Sequence, residues 1–355
     1  MAFMDATLWN DIQGDNATNE KRFSPLGVVD LVADSTSAID YILPSQIQAL
    51  NTVSSLRAVK IPVIKDQTVT VGTTPGFNFI PSNYGESATY SYTTYNVFSG
   101  FRHNASLFAN NVIDSDFARA QVMKNVAYEM GKTISGILVT NLEARKTQVL
   151  NNLIQVSQGT GAYTFSANTL TVSKGAQTDT MFFNLEALMA SNELGGQYRI
   201  VTNRAGLSYQ KSRQLTNGTY NATNLEALGM FPLDRMYESG NISAGSDVFS
   251  GFLVRDGAIG IIPNFPYDFV NGTELAGKKW SITDMELPFC RMRANIYTNR
   301  EATNSSALVT GNDSNGIMST FEEMGIWCRF TVVYKYNSDL STRANDIVKI
   351  VGATS

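Results

Sequence analysis

Charged side chains are scarce: Asp, Glu, Lys and Arg make up 16% of the 355 residues, against roughly a quarter in an ordinary soluble domain. Histidine is nearly absent, with His103 alone. A metal site built from several histidines of one chain is therefore excluded, and any Ser–His–Asp or Cys–His arrangement has to use that one ring. The two cysteines, Cys290 and Cys328, lack Cys-x-x-Cys spacing and read as reduced, partly buried thiols. No block of Lys and Arg occurs and the net charge is −4, which excludes an extended basic groove that tracks phosphates. No run approaches the roughly 20 apolar residues of a membrane helix. The first residues lack the basic start and apolar run of a signal peptide, so the chain is expected to stay in the cytoplasm where it is made.

Hydrophobic residues make up 43% of the chain, which is enough for folded structure and, at this length, for two or three modest cores. Asn, Thr, Ser and Gly stand where charges would ordinarily be. That substitution suits a protein that hides much of its surface against copies of itself.

Residues 1–56 read as an extended arm with one helical piece, capped at Ser35, Thr36 or Ser37, lined by Ile39, Ile42, Ile47 and Leu50, and interrupted at Pro44. No compact core is expected there. Residues 57–101 read as a long β-hairpin. Val59 to Ile64 and Thr68 to Val71 are β-branched runs, glycines and prolines from Gly72 to Gly85 punctuate the tip, and Thr89 to Tyr95 returns with alternating aromatic and hydroxyl side chains. So long a two-stranded ribbon is not stable alone in water.

The strongest periodicity runs from Asn111 to about Leu150, with Asp114 as cap. Ile113, Phe117, Ala120, Met123, Ala127, Met130, Ile134, Ile137 and Leu138 make one apolar stripe, and Gly131 and Gly136 are places for a bend or a close crossing. Gly159 to Val172 predicts a hairpin. Asp179 to Leu194 predicts a helix stopped by Gly195-Gly196, and Tyr198 to Thr202 a buried strand. Asn203 is placed to cap a helix from Arg204 to Leu215. Val248 to Val254 and Ala258 to Pro263 are strands joined at Asp256-Gly257. Trp280 to Met292 and Gly325 to Tyr336 are strand-like, around a polar loop from Thr303 to Gly316. The class is α+β.

Reactive constellations are few. Gly72–Gly76 and Gly257–Gly260 form no phosphate-binding loop, since neither opens a helix with the required Lys and Ser/Thr. Gly311 to Gly316 lacks the acid spacing and closing Glu of a calcium loop. His103 reads as an ordinary polar residue in the turn before the long helix, and Glu322-Glu323 as exposed carboxylates. No catalytic, cofactor-binding or metal-ligating residue is assigned.

The order of segments resembles the major capsid proteins of tailed bacteriophages, a fold shared with encapsulins and the herpesvirus capsid floor. Residues 1–56 resemble the family's N-terminal arm, 57–101 its extended β-hairpin loop, and Asn111–Leu150 its spine helix. Arg199 to Asn203 before Leu207, Lys211, Arg213 and Leu215 is similar to its strand followed by a short basic helix. Gly229 to Pro232 through Gly240 to Ile242 is similar to its next segment, and Phe249 to Gly257 with Ile259 to Ile261 to the strand pair that follows.

The resemblance implies a division into residues 1–56 (N-terminal arm), 57–101 (extended loop), 102–178 (spine helix and first part of a peripheral domain), 179–280 (axial domain) and 281–355 (return strands of the peripheral domain and C-terminus). It also implies a homo-oligomer of hexamers and pentamers in a virion shell assembled in a host bacterial cytoplasm. Scaffolding, portal and decoration proteins are implied partners, with non-specific contact to packaged double-stranded DNA and none with membrane. Lys60 and Lys65 lie where some relatives crosslink, but no matching asparagine and acid context accompanies them. An encapsulin-like compartment and a β-rich tail or adhesion protein are the alternatives.

Overall fold

The computed structural model describes residues 25–51, 59–64, 87–104, 115–153, 161–178, 181–209, 235–243, 245–264, 274–275, 278–287, 292–303, 319–335 and 343–354. Expectations on Met1–Ser24, Thr68–Val71, Gly72–Gly76, Asp114, Leu215, Cys290 and Gly311–Gly316 lie outside these residues.

In chain order the elements are helix α1 (Gly27–Thr36), helix α2 (Pro44–Asn51), strand β1 (Val59–Ile64), β2 (Ser87–Tyr92), β3 (Thr94–Asn104), the long helix α3 (Ser115–Arg145), β4 (Tyr163–Ser166), β5 (Thr169–Val172), α4 (Met181–Ser191), β6 (Tyr198–Thr202), β7 (Met236–Glu238), β8 (Phe249–Arg255) and β9 (Ile259–Pro263). They are followed by β10 (Glu274–Leu275), β11 (Lys278–Lys279), β12 (Ser281–Leu287), β13 (Met292–Thr303), β14 (Ser319–Tyr334) and β15 (Ile347–Gly352). Two sheets carry the body. One orders β12-β13-β14-β3, with β9 also on β14; the other orders β4-β5-β15-β8-β6-β7. The α+β class is observed.

Helix α3 has 31 residues, which at 1.5 Å per residue is about 46 Å. Met123, Ala127, Met130, Ile134, Leu138 and Leu142 are its buried stripe. The buried stripe begins later than the spacing predicts: Phe117 is 59% exposed. The helix also stops at Arg145 rather than near Leu150. Beyond it the Thr147 N–H donates to the Ile347 carbonyl at 2.7 Å, so the backbone has been captured by the entry of β15. Gly131 makes a close crossing possible: a Cβ there would lie 2.8 Å from Leu26 Cδ1.

The first described residues correct the expectation of a coreless arm. In α1, Val28, Val29, Leu31 and Val32 are fully buried, each contributing about 1.5–3 kcal/mol by leaving water. Ser35 and Thr36 end this helix instead of capping a later one. Pro44 opens α2, where a missing N–H costs nothing, instead of interrupting a helix. The protomer's own apolar core is large, with one cluster joining α1, α3 and the β14 sheet and a second enclosing α4, β6, β8 and β15.

Three further boundaries move. The hairpin's return strand ends at Tyr92, and Thr94–Asn104 instead pairs with β14. Helix α4 closes before Gly195: Glu193 takes φ +64°, and the Leu194 N–H donates to the Met189 carbonyl at 3.0 Å, a Schellman-type closure. Strands β8 and β9 do not pair with each other. Asp256-Gly257 carries the chain out of one sheet and into the other.

That crossing is filled by the end of α1. The Ser35 hydroxyl accepts the Gly257 N–H at 2.9 Å, and Thr36 Oγ1 accepts the Ile261 N–H at 2.9 Å. Arg199 Nε donates to Asp256 Oδ1 at 2.5 Å, and the Tyr237 hydroxyl donates to Asp34 Oδ2 at 2.7 Å. Gly257 has φ +83°, and a Cβ there would lie 2.4 Å from the Ala38 carbonyl oxygen. Gly257→Ala therefore meets both backbone strain and a clash, and should lower stability in urea denaturation by about 3 kcal/mol. A change inside about 0.5 kcal/mol would show that the strap from Ser35 to Ile39 moves aside freely.

Candidate functional site

The hairpin formed by β1 and β2 is a two-stranded sheet separate from both larger ones. Its register pairs Val59 with Tyr92 and Ile64 with Ser87. A ribbon of this kind is marginal in water, so the side chains that hold its base are what stabilise it.

Four aromatic and cationic side chains converge there. Tyr90 and Tyr92, two residues apart, share one face of β2; Tyr334 ends β14; Arg145 ends α3. The three rings meet edge to face, with centroids 4.9 Å apart for Tyr90–Tyr92 and 5.4 Å for each of them with Tyr334. The Arg145 guanidinium lies 3.9 Å from the Tyr334 ring centroid and donates to the hydroxyls of both Tyr90 and Tyr334. The Tyr92 hydroxyl donates to the Tyr334 carbonyl at 3.2 Å. Burial holds the Tyr92 and Tyr334 hydroxyls well above the usual tyrosine range, so they stay neutral donors and acceptors.

Each partner is itself positioned. Arg145 sits in the last turn of α3, where a cation complements the helix dipole, and Asn345 donates to its carbonyl. Behind the cluster, Tyr95 stacks on Phe330 at 5.7 Å and accepts from Asn141 Nδ2 at 3.1 Å. Gln46 Nε2 of α2 donates to the Pro62 carbonyl of β1 at 3.3 Å. The arrangement is a mechanical anchor, with no group in it poised to attack or transfer a proton.

The residues singled out for chemistry are scattered. His103 is buried in β3, in register with Glu322 of β14, rather than in an exposed turn. Glu322 points inward and pairs with Arg119 at 3.4 Å, while Glu323 pairs with Arg102. Adjacent strand residues face opposite sides of a sheet, so these two carboxylates cannot act on one substrate. Cys328 is a free, buried thiol that burial pushes up to about 12. Gly257 and Gly260 pack against the turn after α1. Among the described residues no group of three or more His, Cys, Asp or Glu could hold a metal ion, and no helix is long and apolar enough to cross a membrane.

No family model matches the chain, and no curated protein matches it. Among solved structures it is similar to one of Mycobacterium phage Adephagia, at 8% identity over 91% of each chain with a TM-score of 0.44. It is similar to the capsid structure of the cyanophage P-SCSP1u, at 12% identity over 86% of each chain with a TM-score of 0.46. A third is the capsid of Ralstonia phage GP4, at 10% identity over 95% of this chain and 90% of that one, with a TM-score of 0.44. These are phage structures, two of them capsids. At such identities and TM-scores the likeness is distant and transfers no residue role.

Arg145→Met keeps a side chain of similar bulk but removes the cation and both of its hydrogen bonds. The β1–β2 amides should then exchange with solvent about tenfold faster, the equivalent of the ~1–2 kcal/mol a desolvated cation–π contact supplies, with circular dichroism unchanged. Unaltered exchange would show that the ring cluster alone holds the base.

Proposed function

We propose that the chain is a shell-building subunit, the major capsid protein of a tailed bacteriophage, whose hexamers and pentamers close into an icosahedral head around double-stranded DNA. The anchored ribbon is the observation that carries this reading. An antiparallel pair that belongs to neither main sheet is bolted at its base to the end of a 31-residue helix and to β14, and residues 65–86 of the sequence join its two strands. A ribbon with a fixed base is suited to a subunit that reaches over its neighbour.

Surface composition supports the same reading. Phe98 is 78% exposed in β3 and Leu43 is 63% exposed before α2. With charge at 16%, subunit contacts would be made mostly by neutral polar and aromatic groups. Such contacts are individually weak and reversible, which lets misplaced subunits leave before a shell closes. The net charge of −4 suits a container wall better than a specific reader of DNA. Scaffolding, portal and decoration proteins belong to this proposal as partners, as do the virion as location and the host cytoplasm as place of assembly. The division into arm, extended loop, spine helix, peripheral and axial domains belongs to it too.

Expression of the chain alone, and together with a neighbouring scaffolding gene, followed by negative-stain microscopy, should give closed shells or capsomer rings. Replacing residues 65–86 by a short Gly-Ser turn should leave the circular dichroism intact and abolish the shells. A uniform compact monomer in both preparations would overturn the reading, and shells loaded with a protein cargo instead of DNA would point to a compartment of the encapsulin kind.

A further inference from the structure

A groove of about 520 Å3 runs between the C-terminal half of α3 and the sheet that contains β8 and β15. Val139, Ile242 and Phe252 give it apolar walls, while Glu143 and Lys349 stand at its polar edge. Glu143 is bonded by two cations at once, Lys146 at 2.5 Å and Lys349 at 3.1 Å, which leaves one positive charge in surplus at that edge. Burial pushes the Glu143 carboxyl up, but the two lysines outweigh it and hold the group below its usual value. The opposite edge is rigid: Asn241 Nδ2 donates to Ser135 Oγ at 2.9 Å and to the Lys132 carbonyl at 3.3 Å.

The chain itself arrives at this edge. Pro25 accepts the Gly240 N–H at 2.9 Å, and the next residue, Asn241, lines the groove. Residues 1–24 therefore begin beside it, and extended they span up to ~80 Å, so reach is no constraint. Their sequence matches the lining. Phe3, Leu8, Trp9 and Ile12 are apolar, and four acids (Asp5, Asp11, Asp15, Glu20) stand against two bases (Lys21, Arg22), a net of −4 + 2 = −2.

We infer that residues 1–24 dock in the groove of their own chain, with apolar side chains against Phe252, Ile242 and Val139 and acids toward Lys349 and Lys146. The bound segment would brace the second half of α3 against the β8–β15 sheet. This inference stands whether or not the chain builds a shell, because its occupant is part of the same molecule.

Zero-length carbodiimide crosslinking of the full chain, as an equal mixture of 14N- and 15N-labelled protein read by mass spectrometry, tests it. Links between Glu143 and its two lysines report that the reagent reaches the groove. Expected are links from Lys349 or Lys146 to acids of residues 1–24 within single-label chains. Those links should fall about tenfold, the effect of ~1.4 kcal/mol, in Ala144→Glu, which fills the groove and cancels its surplus charge at an exposed helix position. The circular dichroism of that variant should be unchanged. Mixed-label links would overturn the inference in favour of a second copy's segment. It would also be overturned by Glu143 links without any to residues 1–24, or by links that Ala144→Glu does not weaken.

Discussion

The point on which the rest of this structure depends is where the chain leaves one sheet for the other, at Asp256-Gly257. Strands β8 and β9 share a two-residue turn but no ladder hydrogen bonds, since one pairs with β15 and β6 and the other with β14. Among the described residues, no ladder hydrogen bond joins β8 to β9 and so fixes the mutual angle of the two sheets. The end of α1 supplies what is missing. Its two hydroxyls accept the N–H groups of Gly257 in the crossing and of Ile261 in β9. Its carboxylate joins the Arg199–Asp256 pair through Tyr237, and Gly257 and Gly260 leave the space it occupies. An unsatisfied buried N–H costs about 1–3 kcal/mol, so the strap and the crossing stabilise one another.

From this junction the long helix inherits its position. Leu26, just before α1, seats over Gly131 in the middle of α3, and the helix then runs to Arg145, whose side chain reaches the base of the ribbon. The order of causes is local to distant. Helix α1 fixes the sheets, the sheets and α1 fix α3, and the last residue of α3 holds the base of the β1–β2 hairpin. A subunit built in this way holds the base of the β1–β2 ribbon rigidly against its own core.

Much of this order could be read from the residues alone, and the exceptions share a cause. Period and composition located α3, the Val59–Ile64 pairing with the returning aromatic strand, and the cap at Asn203, whose side chain accepts the Gly206 N–H at 3.0 Å, because each is a local signal. Helix α1 escaped because it has ten residues, no side-chain cap at Leu26 and polar residues in its last turn; only packing makes it core. Asp256-Gly257 has the chemistry of a hairpin turn, and the decision to cross sheets is made by distant strands. The anchor escaped for the same reason. Tyr90 is 55 residues from Arg145 and 244 from Tyr334, and no spacing rule joins them. His103 lies in a strand and not in the turn its position suggests, because β3 runs on past the ribbon and carries it inward, opposite Glu322.

The central claim is that the ribbon anchored by Arg145 and the tyrosines finds its second support on another copy of the chain. Electron cryomicroscopy of assembled particles measures this directly. The account predicts that each ribbon, traced outward from Tyr90 and Tyr92, rests on the body of an adjacent subunit. A ribbon folded back along its own α3 in every subunit would contradict it.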